Sequence, residues 1–137
     1  MRIMNPSRVF RAVLAGALIF CFSGGVAAQV QSYITNATVS NIRTYADGRF
    51  GGCSVQIDKN INQDGTNTLD CPTDTVVSVD CVGLYSTKAN AQTVYGAFQL
   101  AYVAGKYIDF NVRSDMLHNE SVCTAITATV KGDIATP

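Results

Sequence analysis

The stretch Ser86–Arg113, STKANAQTVYGAFQLAYVAGKYIDFNVR, decides how this chain folds. Ala91, Val94, Tyr95, Phe98, Ala101 and Tyr102 recur at steps of three and four, which puts them on one apolar stripe of an amphipathic helix. Ser86 or Thr87 can cap its start, because a hydroxyl accepts from an early amide that has no helical partner. Gly96 costs about 1 kcal/mol in helix propensity against alanine, so it is expected where the helix approaches a strand closely. Gly105 stands where a left-handed residue ends a helix, and Lys106 lies near the negative end of the helix dipole. The period then switches to two: Ile108, Phe110 and Val112 face a core, and Tyr107, Asp109, Asn111 and Arg113 face away.

The sequence before this unit reads as strands. Gln29–Ile34 is a short lead-in. Ala37–Thr44 is enriched in β-branched residues and predicts a first strand. Asp47-Gly48 predicts a tight hairpin, because both residues tolerate positive φ. The second strand runs from about Phe50 to Ile57 with Cys53, Val55 and Ile57 inward, and Gly51-Gly52 marks a bulge or bend within it. Asp58–Thr75 is a polar, turn-rich excursion that the core does not require. Val76–Cys81 is a third strand, with Val77, Val79 and Cys81 inward. After the helix and the fourth strand, Ser114–Val122 reads as a loop. Thr124–Val130 is a fifth strand, and Lys131–Pro137 is a frayed tail.

Residues 1–28 have the pattern of a secretory signal peptide. Arg2, Arg8 and Arg11 form a basic start, Ala12–Phe22 an apolar run too short to span a bilayer, and Val26-Ala27-Ala28 a small-residue cleavage site. Cys21 follows Phe20, where acylation of a cysteine would need a small residue, so it belongs to the discarded peptide. Residues 29–137 are then a single domain, expected to be secreted or periplasmic and without a membrane span. Of ten basic residues, three lie in the leader, leaving seven against ten acidic and a net charge of −3. This argues against nucleic acid as a partner, because phosphate binding needs a clustered positive face and the seven cations are scattered.

Four cysteines remain: Cys53, Cys71, Cys81 and Cys123. An even number in an exported chain of this size implies two disulfides. Zinc is not the expected reading, as no pair is spaced C-x-x-C and His118 is the one histidine. Three connectivities are open at this point.

The order strand, strand, strand, helix, strand, strand is that of the oligonucleotide/oligosaccharide-binding (OB) fold, a five-stranded Greek-key barrel closed at one end by a helix. With VSNIRTYADGRFGGCSVQI, SVDC, AYVAGKYIDFNV and CTAITATV, the chain resembles small exported bacterial proteins related in fold to the B subunits of pertussis-like and subtilase cytotoxins. The resemblance covers roughly residues 37–130. It implies Cys53 paired with Cys81, as a second-strand cysteine pairs with a third-strand one in those subunits, and so Cys71 with Cys123. The inward faces of the second and third strands favour the same pairing, while Cys53–Cys71 with Cys81–Cys123 is the simpler local alternative. It also implies a binding role in a ring with a catalytic partner. The chain departs from those subunits in its long Asp58–Thr75 excursion and in lacking tryptophan.

Candidate chemistry is sparse. Asp58, Asn60, Asn62 and Asp64 place oxygens at alternate positions, as calcium loops do. A register starting at Asn60 nevertheless puts Cys71 where an EF-hand needs its glutamate. A solvated turn-rich loop is the preferred reading. His118, with Asp115 and Glu120 near it in sequence, is expected as a surface residue in a loop. Asn36 and Asn119 head N-x-S/T triplets, acceptors only in a host that glycosylates exported chains. Tyr33, Tyr45, Tyr85 and Tyr107 fall at strand ends or outward positions, where an aromatic face can stack on a sugar ring. The expectation is an exported binding or interaction protein that recognises a glycan or another protein, as an oligomer in the manner of the toxin subunits. The alternative is a stand-alone structural or envelope-associated protein without a ligand. Neither an enzyme nor a cofactor is expected.

Overall fold

The computed structural model describes residues 30–135, so the leader expected over residues 1–28 lies outside the described residues. The order is β1 (Gln31–Ala37), β2 (Val39–Thr44), β3 (Gly52–Ile57), β4 (Val76–Asp80), α1 (Lys88–Ala104), β5 (Lys106–His118) and β6 (Val122–Ile134). Over the described residues the protein is mainly β with one α-helix, and two disulfides, Cys53–Cys81 and Cys71–Cys123, cross-link it. The strands form one sheet in the order β1-β5-β6-β4-β3-β2. Neighbours are antiparallel except β4 and β6, which run parallel at Ser78–Thr124 and Val79–Ala125.

Among the described residues there are six strands, not five, because the supposed lead-in is itself a strand. Gln31–Ala37 pairs with β5, whereas Val39–Thr44 pairs with β3 on the far side of the sheet. Thr38 alone separates these two edges. The break is visible in the backbone: Asn36 has φ 51 and the register shifts between Ile34 and Ala37. Asp109, expected to face solvent, is buried and holds this irregularity, accepting the Asn36 amide at 2.8 Å. Two further boundaries move. Ser114–His118 continues β5, and β6 runs on to Ile134, so the expected loop shrinks to a turn at residues 119–121 and residues 131–134 of the expected frayed tail are strand.

α1 owes its position to its apolar stripe. Ala91, Val94, Tyr95, Phe98 and Ala101 are buried, and Phe98 meets Phe110 of β5 edge to face, with centroids 5.3 Å apart. Tyr102, expected in that stripe, is 49% exposed. Thr87 Oγ1 accepts the Asn90 amide at the helix start, and Gly105 at φ 60 closes its end. No atom lies within 4 Å of a Cβ built on Gly96, so the close approach expected there is not the reason for that glycine.

The excursion between β3 and β4 belongs to the core, contrary to expectation. Ile61, Leu69 and Cys71 are buried in the same cluster as the strands and helix. The segment also returns along the outer edge of β1. The Thr66 amide donates to the Tyr33 carbonyl, the Tyr33 amide to Thr66 Oγ1, and the Asn67 amide to Ser32 Oγ. An exposed strand edge is a template for unwanted pairing, and this loop covers it. Gly65 permits the approach: a methyl group there would overlap Ser32 Oγ and come within 2.8 Å of Ile34 Cδ1.

Candidate functional site

β2, β3 and β4 carry a shallow groove on their outer face. Asn41 and Arg43 of β2, Ser54 and Gln56 of β3 and Val76 of β4 line one part, about 70 Å³, together with Tyr45. A wider part of about 230 Å³ adds Phe50, Thr73 and Val122 while sharing Arg43, Tyr45, Ser54 and Val76. The alternation of strand side chains puts residues 41, 43 and 45 on one face. The β2–β3 connection supplies the rest. Tyr45–Gly51 is longer than a two-residue hairpin and closes with the Tyr45 amide donating to the Gly52 carbonyl. Gly48, Phe50, Gly51 and Gly52 all take positive φ, and this turns Phe50 against Tyr45 with ring centroids 5.2 Å apart. Arg49 lies 5.3 Å over the Tyr45 ring while paired with Asp47 at 2.7 Å. Among the described residues, the Arg43 guanidinium has no hydrogen bond or ion pair.

The four tyrosines do not gather into one site. Tyr45 lines the groove. Tyr85 lines a separate cleft of about 220 Å³ between the first turns of α1 and strands β5 and β6, with Asn90, Val94, Met116 and Ile126. Its hydroxyl donates to the Leu117 carbonyl at 2.8 Å. Tyr33 donates to Asp109 Oδ2 at 3.3 Å, and Lys131 Nζ lies 3.4 Å from the same oxygen. Burial first, then the Asp109 charge and that hydrogen bond, push the Tyr33 phenol up, against a smaller opposing pull from Lys131. Tyr107 is half-buried on β5.

The oxygens of the candidate calcium loop are turned to amides. Asp58 Oδ1 accepts from Thr38, Asp64 Oδ2 from Asn60, Asn60 Oδ1 from Asn62, and Asn62 brackets both backbone groups of Cys71. No group of three or more acidic, histidine or cysteine residues among the described residues could hold a metal ion.

His118 is not the surface residue its sequence neighbours imply. It is 4% exposed at the end of β5, with Nε2 3.3 Å from Asp80 Oδ1. The contact is too poorly aligned for a good hydrogen bond, so Nε2 is close to a carboxylate yet lacks a hydrogen-bond partner. Asp80 is buried as well. Its Oδ1 accepts the Leu84 amide at 2.8 Å, and its Oδ2 accepts those of Tyr85 and Ser86, each at 2.7 Å. Burial alone would raise the Asp80 pKa; the three amides and His118 outweigh it and hold the carboxyl below its ordinary value. Burial pushes the His118 imidazole down, and the Asp80 charge only partly offsets that. Asp115 instead pairs with Arg113 at 2.6 Å.

Of the groove's lining, the sequence singles out Tyr45 and does not mark Arg43, Phe50 or Ser54 as its neighbours, nor does it mark the Asp80–His118 pair. Phe50, expected to open the second strand, lies instead in the turn before it, because its φ of 49 breaks the extended backbone and the strand starts at Gly52. No family model matches the chain, and no curated protein or solved structure matches it.

Proposed function

We propose that this chain is an exported, non-catalytic binding domain whose ligand site is the groove over β2, β3 and β4. The observation that carries the proposal is an uncompensated guanidinium, Arg43, beside an aromatic pair, Tyr45 and Phe50, and the amides of Asn41 and Gln56. An aromatic face with planar donors around it suits a sugar ring, which offers C–H groups to the ring and hydroxyls to the donors. A glycan is the ligand we favour, and a protein surface the alternative. The toxin B-subunit likeness belongs to the same proposal, as does an OB-like barrel in which β1 and β2 are two halves of one strand. The two edges of the sheet are adjacent in sequence, and α1 follows β4, the third strand on that count. Fold alone is weak warrant for function, so the groove carries the argument. Two disulfides, and no helix among the described residues long and apolar enough to cross a membrane, are compatible with a secreted or periplasmic protein.

A glycan array with purified residues 29–137, with light scattering for the mass, tests this. The expected result is a defined set of hits that Tyr45→Ala and Arg43→Ala each weaken about tenfold or more, the loss of one good stacking or charge-assisted contact. Hits that survive both substitutions would place the ligand elsewhere. An array without hits would remove the glycan reading, and a monomeric mass the ring.

The second reading, a stand-alone structural or envelope-associated protein, is favoured by one observation. Tyr33, Tyr85 and Tyr95 already spend their hydroxyls on Asp109, Leu117 and Arg43 backbone or side-chain oxygens within the protein. A monomer without hits would support it.

A further inference from the structure

We infer that His118 and Asp80 form an acid-sensitive latch that locks the loop entering α1 against the β2–β3 hairpin at neutral pH and releases it on acidification. Asp80 joins β4 to the loop: one carboxylate holds three successive amides, Leu84, Tyr85 and Ser86, immediately before the capping residue Thr87. His118 fills the space between loop and hairpin. On one side its ring meets Tyr85 edge to face, with centroids 5.2 Å apart. On the other it abuts Gly51, where a Cβ would come within 2.8 Å of both Cδ2 and Nε2. The same hairpin and loop touch again through Val82, whose Cγ1 would lie 3.2 Å from a Cβ on Gly52.

The neutral imidazole fits this site, and the imidazolium does not. The titratable groups that face the ring are Asp80 from β4 and Tyr85 from the loop; the hairpin presents only Gly51, and on its own strand Leu117 and the following Asn119 are uncharged. A proton on Nε2 faces Asp80 Oδ1 at 3.3 Å but out of line for a hydrogen bond, and the buried ring is held in that orientation between Tyr85 and Gly51. The buried imidazolium must therefore either draw the Asp80 carboxylate out of its place under the loop amides to gain an aligned bond, or leave the site for water. Both outcomes loosen the loop. In linkage terms, a histidine held below its ordinary pKa contributes stability at pH values above that of the unfolded chain and loses it as pH falls through the folded value. The depressed Asp80 carboxyl has the same sign but acts only in stronger acid. The release thus falls below about pH 6.5, the ordinary histidine value. The hairpin that His118 supports carries Phe50 at the end of the groove, but the latch is a property of the fold and does not depend on what the groove binds.

Amide hydrogen exchange, expressed as protection against the intrinsic rate, tests the latch on residues 29–137. Between about pH 7.5 and about pH 5 the protection of Leu84, Tyr85 and Ser86 should fall on the order of tenfold, while Phe110 and Val112 in the core keep theirs. His118→Gln should make the loop's protection insensitive to pH over that range. Unchanged protection in the wild type, or an equal loss in the Gln variant, would overturn the inference. Should the variant fail to fold, the wild type still decides, because a single histidine gives an unambiguous NMR titration. An imidazole that titrates below about 6.5 together with the loop amides supports the latch. One that titrates at or above that value, or without any change in those amides, refutes it.

Discussion

The helix–strand unit Lys88–His118 and the excursion Asp58–Thr75 both send side chains into one core, yet they reach it by different physics. α1 and β5 present periodic apolar faces, so many side chains contribute and the joint is Phe98 against Phe110. The excursion contributes only Ile61, Leu69 and Cys71, and holds its shape through directed bonds. Asn62 brackets Cys71, Asp64 accepts from Asn60, and Thr66 and Asn67 attach to β1. Its second anchor is covalent, the Cys71–Cys123 bridge to β6 across 52 residues. Burial is roughly additive and tolerant of small errors, whereas a directed bond depends on geometry. Damage to the first region should be large and global, and damage to the second smaller and local.

The largest expected effect is that of Phe98→Ala. The side chain is fully buried, so its loss removes transfer free energy and leaves a cavity against Phe110, costing about 3–5 kcal/mol. Urea unfolding should show the midpoint falling with one cooperative transition. A loss under about 1 kcal/mol would mean that the helix is not anchored by its stripe. Next comes Gly65→Ala, which must move Ser32 or the excursion itself because the added methyl overlaps Ser32 Oγ. The cost expected is about 1–3 kcal/mol, the range of overpacking. Hydrogen exchange should locate the damage at the Thr66 and Tyr33 amides and leave α1 protected. Equal loss of protection along α1 would show that the two regions are one cooperative unit, and the contrast drawn above would fail.

The same contrast governs what could be read from the sequence. A helix with Thr87 and Gly105 at its ends, and strands with alternating Ile108, Phe110 and Val112, declare themselves because every second or third residue repeats the message. β1 does not. Its inward residues are Ser32, Ile34 and, after the break at Asn36, Ala37, so one polar residue and one register shift erase the alternation. Ile61 and Leu69 are single apolar residues in a polar run, with no period to mark them. The groove was legible only at Tyr45, an aromatic at a strand end; Arg43 and Phe50 join it through a hairpin whose path depends on four positive φ angles. Asp80 and His118 escaped for another reason. They are 38 positions apart, and both faces of β4 are buried, so the alternation that marks Val77 and Val79 as inward hides Ser78 and Asp80 as equally enclosed.

The smallest of these effects should be at the helix entry, where the two kinds of stabilisation meet. Thr87→Ala removes the acceptor of the Asn90 amide, a change that costs about 1 kcal/mol at a helix start. The entry is doubly held, however, because the Asp80 carboxylate already fixes Leu84, Tyr85 and Ser86 just before the cap. The Ala91 amide still reaches the Thr87 carbonyl, which the substitution keeps. The loss should therefore stay at or below about 1 kcal/mol, with the urea midpoint shifted slightly and its slope unchanged. A cost greater than that of Gly65→Ala would mean that one directed bond governs the helix, and that burial of its stripe does not by itself hold α1 in place.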